Sequence, residues 1–89
     1  MAETANPQTI GTNWMPVSAL GDKKCTVTSP KGNSAGEYTV SPSPTVPDAG
    51  FEGNFIGEDT AVTRAFPGTY IMYVRTRVGS NKYNIDSGE

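Results

Sequence analysis

Phe66-Pro67-Gly68-Thr69-Tyr70-Ile71-Met72-Tyr73-Val74-Arg75-Thr76-Arg77-Val78-Gly79-Ser80-Asn81-Lys82-Tyr83-Asn84-Ile85-Asp86 decides the fold class of this chain. It reads as turn, long strand, tight turn, short strand. Pro67-Gly68 suits the two central positions of a type II turn, where Pro fixes φ and Gly accepts a positive φ. Tyr70 to Val78 carries β-branched and aromatic residues at nearly every step, without a helix breaker or cap. Val78 to Lys82 offers a short Gly-containing loop, which reads as a closing β-hairpin.

Upstream, the same signals repeat. Lys24 to Ser29 alternates, with Cys25 and Val27 on one face and Thr26 and Thr28 on the other. Glu37 to Ser41 alternates again, with Tyr38 and Val40 inward. Phe51 to Ile56 is a short strand broken by Gly53, and Thr60 to Phe66 is another. Pro16 places the segment around Trp14 to Val17 on a sheet edge, because Pro cannot donate to a ladder. Ser41 to Gly50 holds three prolines and reads as a polyproline-like crossover between sheets. The chain has one Leu (Leu20), eleven Thr, ten Gly and seven Pro. Helix is therefore confined to a single turn around Val17 to Gly21. The expectation is all-β: a small β-sandwich or barrel of six to seven short antiparallel strands. Residues 1–12, polar apart from Ile10, form an extended N-terminal arm, and residues 13–89 form a single β domain.

At 89 residues with 35% hydrophobic content the core is thin. Domains this small bury only about 60% of their unfolded surface. The single Cys25 excludes an internal disulfide, and the absence of His removes the standard zinc patterns. Oligomerisation is the remaining source of stability, so a homo-oligomer is expected. The net charge of −2 argues against a nucleic-acid partner, which calls for a basic face. No segment approaches the ~20 apolar residues of a membrane span, and no leader pattern is visible at Met1. No cofactor, metal or catalytic set is expected. Cys25 has no His to activate it, and Asp48, Glu52, Glu58 and Asp59 match no calcium-loop spacing.

The charges are segregated. Glu37, Asp48, Glu52, Glu58 and Asp59 precede Arg64, Arg75, Arg77 and Lys82 without mixing. On the long strand, Tyr70, Met72, Val74 and Val78 share the apolar face, and Ile71, Tyr73, Arg75 and Arg77 share the other. The second set has the composition of a subunit contact, with Glu52, Glu58 and Asp59 of a neighbour as its complement. A plain solvated sheet face fits the same pattern. Trp14 is either a core anchor or, with Tyr38, a ligand-stacking platform.

The order of these signals resembles small virion structural proteins of tailed bacteriophages. The shared run is Asn13-Trp14-Met15-Pro16-Val17-Ser18, Thr26-Val27-Thr28, a Tyr38-Thr39-Val40 strand and a Pro-rich link. It ends in a strand of the Gly-x-x-Tyr/Trp-Val-Arg-Ser/Thr kind, here Gly68 to Thr76. The resemblance implies a non-enzymatic capsid decoration, head-fibre or tail protein. Its partners would be further copies of itself and the major capsid or tail protein. Its place would be the virion, after assembly in the host cytoplasm. The alternative is a glycan- or receptor-binding module of a phage fibre.

Overall fold

The protein is seen in a computed structural model that describes residues 8–88. Eight strands are present among these residues: β1 (Gln8–Ile10), β2 (Met15–Pro16), β3 (Lys24–Ser29), β4 (Gly36–Pro42), β5 (Asn54–Ile56), β6 (Thr60–Ala65), β7 (Tyr70–Thr76) and β8 (Asn81–Gly88). They form two four-stranded antiparallel sheets packed as a sandwich, ordered β1-β8-β3-β6 and β2-β7-β4-β5. No helix occurs among the described residues, and Val17 to Gly21 makes only a bend and a turn.

Period-two alternation builds the core, as it must when each strand buries one face. Sheet one contributes Ile10, Cys25, Val27, Tyr83 and Ile85; sheet two contributes Ile56, Met72 and Val74. Val17 and Phe66, each just past a strand, complete this cluster, and Tyr38, Val40, Val62 and Tyr70 pack against it. Register explains the pairing of faces. Val40 lies opposite Met72 and Tyr38 opposite Val74, while Val27 lies between Ile85 and Val62.

Five local expectations are corrected. The closing segment is not a hairpin: β7 belongs to sheet two and β8 to sheet one, so residues 77–80 form an arch between sheets. Gly79, at φ +68, turns the corner, and Asn81 anchors the far side through Ser34 N–H and C=O. The arch forms because both strands have a strongly apolar face, and stacking these faces buries more surface than pairing the strands edge to edge. Val78 is consequently at the arch and 74% exposed instead of in the core. Pro67-Gly68 is not a type II turn. Tyr70 N–H donates to Pro67 C=O, which makes Pro67 the first turn residue, and the φ of Gly68 is not positive.

The Pro-rich segment joins β4 to β5, its neighbour in the same sheet, so it does not cross between sheets. The crossing comes later, at Gly57 to Asp59. Finally, the expected arm lies partly outside the described residues, which begin at Gln8. Where it is described it belongs to the domain: β1 pairs with β8, and Ile10 is 0% exposed. One apolar residue suffices because it sits opposite Asn81 at the end of the core.

Candidate functional site

The outer face of sheet two carries the densest polar chemistry of the described molecule. Glu37 on β4 lies directly opposite Arg75 on β7, so both side chains leave the sheet on the face away from the core. Arg75 Nε and Nη2 each reach Glu37 Oε1 at 3.0 Å, and Arg77 Nε approaches Oε2 at 3.4 Å. Gly53 N–H donates to the same carboxylate at 3.3 Å. The rest of the Arg75 fork donates outward: Nη1 to Ala49 C=O and Nη2 to Phe51 C=O, each at 2.6 Å. Its guanidinium stacks over Trp14 at 4.4 Å from the ring centre. Trp14 Nε1 in turn donates to Asp48 C=O at 3.0 Å.

These bonds hold residues 46–53 as a strap across the sheet. A planar guanidinium can do this because its donors point in several directions at once. Backbone carbonyls of an irregular segment need donors, and Arg75 with Trp14 supplies three. Gly53 is required by space: an added Cβ would lie 2.7 Å from Tyr38 O and 2.8 Å from Trp14 Cη2.

The strap corrects the expected interface. Tyr73 is 4% exposed and Ile71 is half-buried, covered from within the chain. Arg75 has its acid in Glu37 of the same chain. Arg77 is exposed, as are Glu52, Glu58 and Asp59, and Glu58 Oε2 accepts from Gly32 N–H at 2.7 Å. Trp14 is 9% exposed and lies outside the main core, against the strap and Phe51, with a ring face taken by Arg75. Tyr38 is half-buried on the inner face beside Val74. The two rings therefore do not form one open platform. Sequence reading missed Glu37 as the counter-ion; its place opposite Arg75 is a matter of register between β4 and β7.

The sandwich presents a different open feature at its side. β6 ends sheet one, and all its residues are exposed except half-buried Val62. Phe66 N–H donates to Lys23 C=O, which marks Lys23 and Phe66 as a hydrogen-bonded pair. Alternation along an antiparallel ladder then makes Thr60, Val62 and Arg64 the residues bonded to β3. The N–H and C=O groups of Ala61, Thr63 and Ala65 point away from the sheet. Thr63 keeps its side chain engaged, sharing a 2.8 Å bond with Thr26.

At one end, a groove of about 600 Å³ runs between Thr9, Pro30, Lys31, Asn33, Lys82 and Asn84. It has no aromatic wall. Among the described residues, no three His, Cys, Asp or Glu side chains gather into a metal-holding group. Cys25 is buried, its thiol 3.8 Å from Val17 C=O. Burial first, then the charges of Asp22 and Asp86, push its pKa up to about 12, so it is not poised as a nucleophile. Burial also raises the Tyr83 pKa, against a lowering hydrogen bond from Asn81. No protein-family model, no curated protein and no solved structure matches the chain.

Proposed function

We propose that the protein is a non-enzymatic structural component of a tailed-phage virion, acting through contacts with other protein subunits. The observation that carries this is the open six-residue edge of β6. An unblunted edge is a template for pairing with another chain, and proteins that do not use such an edge cover it or interrupt it. The buried charges support the same direction. Glu37, Arg75 and Trp14 spend their polar groups on holding the strap.

Glycan capture is the weaker reading, since stacking needs an accessible aromatic face and Trp14 is closed in by Arg75 and the strap. Native mass spectrometry with candidate major capsid and tail proteins tests the proposal, together with protein analysis of purified particles. Stoichiometric copies on particles are expected. Absence from particles and from every such complex overturns it. A blue, unresponsive Trp14 emission on adding host-surface polysaccharide is expected as well.

A further inference from the structure

We propose that two copies of this chain associate through β6, antiparallel and about a twofold axis, to make one continuous eight-stranded sheet. This deepens the subunit-contact reading and rests on it: it names the surface and the first partner. Of the four sheet edges among the described residues, β6 alone is both long and uninterrupted. β2 is two residues and contains Pro16, while β1 and β5 have three residues each. The sequence Thr60-Ala61-Val62-Thr63-Arg64-Ala65 has no Pro, no Gly and only one charge. Its outward backbone groups, at Ala61, Thr63 and Ala65, fall on alternate residues. A twofold antiparallel ladder needs this spacing, with the same faces of both copies aligned.

Charge selects the second copy as occupant. β6 is preceded by Glu58 and Asp59 and nearly ends on Arg64, so it is acidic at its start and basic at its finish. Antiparallel self-pairing brings the Arg64 end of each copy beside the Glu58–Asp59 end of the other. Parallel pairing would set like charges together. Arg64 and Asp59 have no side-chain partner of their own among the described residues, and both are exposed. The ladder alone is smaller than a standard contact of about 800 Å² per partner, so association is expected near micromolar concentration. In an array that already holds subunits together, the effective concentration is higher and the contact tighter.

Sedimentation of the full chain over a concentration series reads the association, and residue-resolved hydrogen exchange reads the surface. A monomer–dimer equilibrium is expected, with the amides of Ala61, Thr63 and Ala65 gaining protection only as the dimer forms. Ala61→Pro removes an outward N–H and leaves the ladder to β3 intact, so a folded monomer is expected. Arg64→Glu should weaken the dimer about tenfold at low salt, since each substitution acts twice across the axis. The swap Asp59→Arg with Arg64→Glu should recover most of that loss, which a merely misfolded variant could not. The proposal is overturned if the wild-type chain is monomeric at about 100 µM. It is also overturned if a dimer forms with those three amides unprotected, or if the swap fails to recover association. Particle incorporation is scored separately. A monomer found on particles sinks the dimer alone, and a dimer absent from particles sinks the virion role alone.

Discussion

Arg75 shows how one residue can set the fate of a whole face. It bridges a buried carboxylate, two strap carbonyls and an indole ring. Arg75→Ala leaves Glu37, itself 2% exposed, with Arg77 at 3.4 Å as its cation and the Gly53 N–H as a donor. Breaking a buried pair on one side costs about 3–5 kcal/mol, and the surviving Arg77 puts this case near about 3. Chemical denaturation checks the loss, and a red shift of Trp14 emission shows that the strap has lifted. At Gly36 an added Cβ would run into the Tyr83 hydroxyl and crowd Arg75 C=O and Ile56 Cγ2, each at 3.1 Å, so Gly36→Ala is expected to lower the denaturation midpoint. Cys25 and Tyr83 give the molecule an alkaline limit. The Cys25 pKa is about 12 when folded against 9.0 when not, so the folded state holds the proton longer. Its contribution is complete below pH 9.0 and is lost as pH climbs toward about 12, at up to about 1.4 kcal/mol per pH unit. Cys25→Ala should flatten the fall in stability between about pH 9 and 11, as read by urea midpoints across that range.

At the scale of elements, alternation made most strands legible. Lys24 to Ser29 is β3 as read, and Thr60 to Phe66 overshoots β6 by one residue. β1 was illegible because three residues with a single Ile carry no periodic signal; its existence depends on β8 being there to receive it. Ile10→Ala is expected to cost about 2–4 kcal/mol, as for other fully buried aliphatic truncations. Deleting residues 2–11 should for the same reason destabilise the domain, and a thermal melt would reveal it. The strap shows in the sequence only as the tail of a Pro-rich stretch, with Pro47 and an absence of period. What it covers depends on Glu37 meeting Arg75 across a ladder, and pairing register cannot be read from a strand taken alone. The assignment of Arg75 and Tyr73 to the outer face was correct. Their exposure was misjudged because nothing in the sequence says that residues 46–53 fold back over that face.

Across the whole molecule, six of the seven connections change sheets; only β4 to β5 stays within one. Almost every ladder therefore joins segments far apart in sequence, such as β1 with β8 and β3 with β8. Folding in milliseconds to seconds is expected, with a slow single phase in stopped-flow refolding. The fold class could be read from composition and alternation, whereas the sheet assignment of each strand could not. The arch at Gly79 looks in sequence just like a hairpin turn. The pairing of β1 with β8 also fixes how the molecule would bear a load. Gln8 lies beside Tyr83 and Ile10 beside Asn81, so the chain leaves both strands at the same end of their ladder. Tension applied between Gln8 and Ser87 would open those bonds one after another instead of shearing them together. Pulled from one end of that ladder the two strands part easily, and pulled from opposite ends they resist. A pulling experiment from that pair of handles should rupture at lower force than one made from Gln8 and Ser80, which loads the two strands from opposite ends of their ladder.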